Sequence, residues 1–324
     1  MDGRVTVLGT GVPVYALSFA GSKHLFYVGG GGAGKSGVTN NIKCAEAQTR
    51  NGADLCAAGD LKLRTDEDAP MCISVHPNDS LLACGINEAA AKMKEQNHHL
   101  RTFHYEVKAR PAARADGAAE NSVEIHPSDS YASLGIDDVD HYQKAIAFSP
   151  DGALLAVASS DGRVQLHRYP DMEPIWTQPY ELEGKQEVYD LDFSHDGTQL
   201  VCTAGRRLYI LSTAPRTSGD SNLITFSARL LQSIDTVTIG SEIGIFRAAK
   251  FGRGKPDVGT RDRLYALINV APSKQSKVRS SYLAMWNADT WSLKVSRKVA
   301  NRPGTVMSIR GAARGVNAQA MYVI

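Results

Sequence analysis

Residues 144–167 read K-A-I-A-F-S-P-D-G-A-L-L-A-V-A-S-S-D-G-R-V-Q-L-H. Two Asp-Gly pairs, Asp151-Gly152 and Asp161-Gly162, separate three short apolar runs at 145–148, 154–158 and 163–167. Asp-Gly between such runs signals a hairpin, because glycine tolerates the positive φ that tight turns require. The segment therefore reads as three consecutive antiparallel strands. The pattern recurs along the chain. Residues 189–211 read Y-D-L-D-F-S-H-D-G-T-Q-L-V-C-T-A-G-R-R-L-Y-I-L, and residues 71–86 read M-C-I-S-V-H-P-N-D-S-L-L-A-C-G-I. Residues 15–29 read Y-A-L-S-F-A-G-S-K-H-L-F-Y-V-G, and a looser copy opens with F-R-A-A-K-F-G at 246 and continues through 263–269 and 282–286. The anchors Phe19, Val75, Phe148, Phe193 and Phe251 lie somewhat further apart than a WD repeat of about 40–45 residues, and loop insertions account for the excess.

Repeated units of short antiparallel strands predict an all-β fold, a WD-repeat-like β-propeller. A β-sandwich also has short strands, but it does not repeat F-S-x-D-G-x-x-L at a fixed interval. About five blades are visible. Residues 306–309 start a sixth, yet no Ser-Pro-Asp-Gly turn follows before the chain ends at Ile324. The expectation is one propeller domain over residues 1–324, C-terminally incomplete, with a flexible inter-blade insertion at 109–140, where Ala, Ser, Asp and Glu predominate. Residues 87–96, N-E-A-A-A-K-M-K-E-Q, suit a short helix or an exposed loop before a strand at 99–105.

Bulk properties exclude several classes. The formal net charge of the 324-residue chain is +2, which gives no basis for nucleic-acid binding. No run of about 18 apolar residues occurs. The five cysteines, Cys44, Cys56, Cys72, Cys84 and Cys202, form no Cys-x-x-Cys pair. Cys72, Cys84 and Cys202 sit inside apolar runs, and buried thiols in a reducing compartment are the expectation. His98, His99 and His104 lack an accompanying carboxylate motif, and neighbours on a strand face opposite ways. Asp161 and Asp196 read as turn residues, and Trp176, Trp286 and Trp291 as blade packing.

Residues 29–36, G-G-G-G-A-G-K-S, match G-x-x-x-x-G-K-[ST], the loop in which backbone N–H groups and a lysine cradle phosphates. Such a loop must open a helix. Here Gly37-Val38-Thr39-Asn40-Asn41 follows, a poor helix start, and the apolar run at 42–45 suits a returning strand. The nucleotide-hydrolysing reading is therefore the weaker one. A glycine run has other uses: close backbone approach, unusual angles, or carbonyls that hold a cation.

The run from Gly29 to Ile42, placed in a first blade, resembles the endoplasmic-reticulum WD-repeat exchange factors for the Sar-type small GTPase of COPII budding, the prolactin regulatory element-binding protein family. The likeness continues through Asn97-His98-His99-Leu100-Arg101 and the Asp-Gly turns, and fades after about Asn222. It implies a seven-bladed cytosolic propeller, held on the endoplasmic reticulum by a C-terminal membrane anchor that this chain lacks. It implies a guanine nucleotide exchange factor, a GTPase regulator that performs no covalent chemistry. By the same resemblance Asn40 contacts the GTPase, with Lys35, Thr39 and Asn41 as neighbouring contacts. Potassium would sit on backbone carbonyls of Gly31, Gly32, Gly34 and Gly37, although Lys35 brings a positive charge into the same loop. The alternative is a WD-type interaction scaffold without exchange activity.

Overall fold

The fold was analysed in a computed structural model, which describes residues 8–21, 23–32, 36–48, 54–64, 66–93, 95–108, 122–217, 224–225, 227–239, 242–252, 263–271, 279–304, 306–310 and 320–323. Internal contacts divide the chain into two compact units, Met1–Tyr142 and Gln143–Ile324.

The first unit holds two four-stranded antiparallel sheets. One is β1 (Val14–Ala20), β2 (His24–Gly29), β3 (Asn41–Gln48) and β4 (Asp54–Lys62). The other is β5 (Cys72–Val75), β6 (Leu81–Gly85), β7 (Leu100–Val107) and β8 (Val123–Tyr131), with the single-turn helix α1 (Ala90–Met93) between β6 and β7. Both meander in sequence order. Phe26, Val28 and Ile42 from the first sheet pack with Leu82, Cys84 and Phe103 from the second in one apolar cluster. The rings of Phe26 and Tyr105 lie 4.8 Å apart at a tilt of 52°.

The second unit repeats the design. Its first sheet is β9 (Gln143–Phe148), β10 (Leu154–Ser159), β11 (Arg163–Arg168) and β12 (Tyr180–Glu181). The next joins β13 (Asp190–Phe193), β14 (Gln199–Ala204) and β15 (Arg207–Ser212) to β18 (Arg229–Asp235), across a small hairpin of β16 (Arg216–Thr217) and β17 (Ile224–Thr225). The last sheet is β19 (Thr238–Ile239), β20 (Glu242–Phe251), β21 (Arg263–Val270), β22 (Ser280–Asn287) and β23 (Leu293–Ala300). A hairpin of β24 (Met307–Arg310) and β25 (Ala320–Val323) follows. The five anchors Phe19, Val75, Phe148, Phe193 and Phe251 all fall on the first long strand of their sheets. Trp176 is buried in the cluster between the first two sheets of this unit, and Trp286 in that between the last two.

The Asp-Gly turns form as read. Gly152, Gly162 and Gly197 have φ of 80°, 84° and 72°. At the first, Ser149 Oγ donates to Asp151 Oδ1 at 2.5 Å and accepts the Leu154 N–H at 2.9 Å. Ser194 and Asp196 repeat this arrangement. In the β5–β6 turn His76 replaces the serine. Its Nδ1 lies 2.9 Å from the Asp79 nitrogen and 3.3 Å from that of Asn78, accepting both N–H groups, so the ring proton belongs on Nε2.

Residues 109–140 are not a continuous loop. Residues 123–131 form β8, paired with β7 from Val107↔Val123 to Leu100↔Tyr131. Residues 109–121 lie outside the described residues. The run His126-Pro127-Ser128-Asp129-Ser130 is exposed throughout. Only Val123 and Ile125 at the start of the strand are buried; the exposed run needs no apolar alternation, and that hid the strand from sequence reading.

The seam between the second and third sheets of this unit combines one backbone bond, from the Phe246 N–H to the Gly205 carbonyl at 2.8 Å, with side-chain bonds. Asp190 Oδ2 accepts the Ala249 N–H at 3.1 Å, and Asp192 Oδ2 accepts that of Phe251 at 2.7 Å. Lys250 Nζ donates to Asp190 Oδ1 at 2.7 Å and to the Leu191 carbonyl at 2.9 Å. Burial pushes the Asp190 carboxyl up to about 6, against the lowering influence of Lys250.

Candidate functional site: the glycine loop of the first sheet

Strands β2 and β3 pair from His24↔Glu46 to Gly29↔Asn41. The glycine run joins their ends as a loop over residues 30–40. No helix follows it: residues 38–40 lead straight into β3. The backbone therefore offers no helix N-terminus to a nucleotide phosphate, and the phosphate-loop reading loses its main physical requirement.

Asn40 organises the loop. Only 5% of it is exposed. Its Oδ1 accepts the Gly32 N–H at 3.0 Å, while its Nδ2 donates to the Gly32 carbonyl at 3.3 Å and to the Glu67 carbonyl at 2.9 Å. A second cross-link runs from the Gly31 N–H to the Val38 carbonyl at 3.3 Å. Tyr15 Oη donates to the Gly30 carbonyl at 3.1 Å. Glycine is required where these links crowd the chain: at Gly30, with φ of 153°, a Cβ would fall within 2.5 Å of the Asn40 Cα. Gly32 and Gly37 have φ of 75° and 76°, in the region that other residues avoid.

The sequence candidates separate into an inside and an outside. Asn40 faces inward, with its amide engaged on three hydrogen bonds. Asn41 is 3% exposed, and its Nδ2 donates to the Thr39 carbonyl at 2.7 Å. Its Oδ1 is buried without a hydrogen-bond partner among the described residues. Residues 36–39 are exposed, including 37% of Val38. Among the described residues of the loop, the surface open to another protein is thus Ser36, Gly37, Val38 and Thr39. Lys35 and Gly34 lie outside the described residues. Gly31, Gly32 and Gly37 supply carbonyl oxygens near the tip, and oxygen donors of this kind suit a hard, weakly hydrated cation. The Gly32 oxygen already accepts the Asn40 amide and keeps one lone pair.

Glu67, absent from the sequence candidates, anchors the base. Its carbonyl receives the Asn40 amide, its Oε2 accepts the Arg64 N–H at 3.1 Å, and its Oε1 accepts from Arg101 Nη1. No local pattern signals this, because Asn40, Glu67 and Arg101 are far apart in sequence.

Other candidates take structural places. His99 is fully buried, its Nδ1 3.0 Å from the Asn97 carbonyl and its Nε2 3.0 Å from Ser133 Oγ. Cys44, Cys72, Cys84 and Cys202 are buried free thiols. Burial pushes Cys44 up to about 12 and holds Cys84 and Cys202 well above the usual thiol range. Among the described residues no helix is long and apolar enough to cross a membrane.

Residues 140–212 match the model of the anaphase-promoting complex subunit 4 WD40 domain. Among solved structures, the β-propeller domain of Myceliophteria thermophila Cps50 (Swd1) superposes with a TM-score of 0.53 at 13% identity, covering 91% of this chain and 76% of that one. The WD40 domain of Toxoplasma gondii coronin gives 0.50 at 13% identity, over 91% and 60% of the two chains. These likenesses show the fold. In sequence, the putative guanine nucleotide-exchange factor SED4 of Candida glabrata is 29% identical over 62% of this chain and 18% of its own length. The Saccharomyces cerevisiae protein of the same name is 26% identical over 71% of this chain and 21% of its own. The guanine nucleotide-exchange factor SEC12 of Rattus norvegicus is 26% identical over 57% of this chain and 46% of its own. The matched part of this chain thus spans between about a fifth and a half of those relatives. By fold the chain is a WD-repeat-type β-propeller, and in sequence it is similar over more than half of its length to the proteins named SEC12 and SED4.

Proposed function

We propose that this chain is a guanine nucleotide exchange factor for a Sar-type small GTPase, working at the cytosolic face of the endoplasmic reticulum at the start of COPII coat assembly. One observation carries the reading. The glycine loop is braced from inside by Asn40 and offers residues 36–39 to solvent, which is the geometry of a preorganised probe. The names of the SEC12 and SED4 relatives support it.

An exchange factor makes and breaks no covalent bond. It binds the nucleotide-free GTPase better than the loaded form, and linkage loosens the nucleotide by the same factor. A protruding loop does this by displacing a switch segment that holds magnesium and phosphate. In this chain Thr39 and Val38 are the contacting side chains, one polar and one apolar. Asn40 acts through them by fixing the loop, with Asn41 at its base. Lys35 stands as a further contact. A potassium ion on the carbonyls of Gly31, Gly32, Gly34 and Gly37 would stiffen the loop by tying those oxygens together.

The experiment is release of a fluorescent GDP analogue from a Sar-type GTPase, with the parent chain and with V38S/T39A and N40A variants. Acceleration by the parent, and its loss in both variants, is the expected result. A folded parent that binds the GTPase without accelerating release would make the chain a WD-type scaffold instead.

A further inference from the structure

The segment Asn97-His98-His99-Leu100-Arg101 carries part of the family likeness, yet none of it reaches the exposed loop tip. Of its polar side chains, Arg101 reaches Glu67 at the base of the glycine loop, while Asn97 bonds Asn87 and Glu88 and His99 bonds Ser133. Arg101 sits on β7, whose pairing with Cys84 and Ser130 fixes it in the second sheet. Its side chain is 14% exposed and that of Glu67 12%. Nη1 donates to Glu67 Oε1, and Nη2 lies 3.3 Å from Glu88 Oε1. Nε and Nη2 make no hydrogen bond among the described residues, so the Glu67 contact chiefly holds the guanidinium. Beyond it, the Glu88 N–H donates to Asn97 Oδ1 at 3.0 Å, and Asn97 Nδ2 to Asn87 Oδ1 at 3.1 Å. The Asp68 N–H reaches the Asn87 carbonyl at 3.3 Å.

The link between sheets therefore runs from Arg101 through the Glu67 carboxylate to the Glu67 carbonyl, and from there to the Asn40 amide and Gly32. A buried ion pair is a poor source of net stability, since desolvation offsets the attraction, and its better-attested use is to specify one conformation. Here the element specified is residues 64–68, whose backbone carries the acceptor for Asn40.

We infer that Arg101 is a positioning residue for the glycine loop, acting through Glu67 to hold Asn40 and so to aim residues 36–39 at the partner. The functional half of this inference rests on the exchange-factor reading; the structural half does not.

The test uses the full chain in four forms: parent, R101M, R101K, and R101M/E67Q, in which the Arg101–Glu67 pair is removed together and Glu88, its side chain 17% exposed, keeps its carboxylate. Two readouts are taken. Amide hydrogen exchange is followed at Gly31 and Gly32, whose N–H groups are bonded in the braced loop. Release of a fluorescent GDP analogue from a Sar-type GTPase is measured over a range of chain concentrations. In R101M/E67Q the loop amides are expected to exchange about tenfold faster while strands β10 and β14 keep their protection. The maximal release rate should fall about fivefold, with the half-saturating concentration within about twofold of the parent. R101K, which keeps a cation within reach of Glu67, should restore most of that rate. Unchanged loop amides in R101M/E67Q overturn the inference outright. Loosened loop amides with an unchanged maximal rate overturn its functional half. If the parent itself does not accelerate release, the exchange-factor reading fails, and the amide measurements alone decide whether Arg101 positions the loop.

Discussion

Asn40 holds Gly32 by both of its backbone groups, with Oδ1 accepting the N–H at 3.0 Å and Nδ2 donating to the carbonyl at 3.3 Å. One side-chain amide thus imitates a strand partner and closes the loop across eight residues. N40A leaves the buried Glu67 carbonyl and the Gly32 pair without that partner. It should lower the unfolding free energy by about 1–3 kcal/mol, measured by urea denaturation. N40D keeps an acceptor for the Gly32 N–H but turns a carboxylate toward two carbonyl oxygens. It should be at least as destabilising at pH 7 and recover at pH 5, where protonation restores a donor.

Gly30 and Gly37 make a matched pair for a second test. At Gly30 a Cβ would collide with Asn40, whereas at Gly37, with φ of 76°, a Cβ meets nothing within 4 Å. G37A should cost only the left-handed backbone strain, about 1 kcal/mol, and leave the Gly31 and Gly32 amides protected. G30A should expose both amides and abolish nucleotide release. Equal effects of the two substitutions on amide exchange would remove Asn40 as the organiser of the loop.

The seam carboxylate makes stability depend on pH in an unusual direction. Asp190 titrates at about 6 in the folded chain against 3.8 for the free side chain. A raised carboxyl pKa means that the folded state binds the proton more tightly. Asp190 therefore adds stability as pH falls through 6 toward 4, by up to about 3 kcal/mol, and adds none above that window. Carbon-13 titration of the Asp190 carboxyl should give a midpoint near 6. A midpoint below 4 would show that Lys250 outweighs desolvation.

Potassium makes a separate prediction. If carbonyls of the glycine loop hold the ion, replacing sodium by potassium at constant ionic strength should raise the melting temperature by a few degrees. It should also slow exchange of the Gly31 and Gly32 amides. G30A, whose Cβ would displace the Asn40-braced carbonyls, should weaken the effect, and T39A, which removes no backbone oxygen, should not. Identical melting in the two salts would mean that the Asn40 bracing alone shapes the loop.

Sequence reading reached the sheets because their signals are local. Gly152 and Gly197 must take positive φ within a few residues of an apolar run, and the chain records that need as Asp-Gly. It missed β8 because only its first residues, Val123-Glu124-Ile125, alternate, residues 126–130 are exposed, and His126-Pro127 reads as a break. It read Asn40 as an outward contact of the glycine loop, whereas the side chain faces inward. An asparagine beside glycines signals polarity without direction, and direction here is set by Glu67, which is distant in sequence. Arg101 was legible only as part of a likeness, since its partner sits on a segment with no pattern of its own.

Where Asp190 and Asp192 grip the Ala249 and Phe251 amides, neighbouring sheets are joined by two carboxylates on alternate residues of one strand. Strand pairing draws its bonds from every residue; the side-chain part of this junction draws them from Asp190, Asp192 and Lys250, beside one backbone bond from the Phe246 N–H to the Gly205 carbonyl and the apolar cluster of the two sheets. Apolar contact alone would let neighbouring sheets slide; carboxylates aimed at two particular amides give the contact a single register.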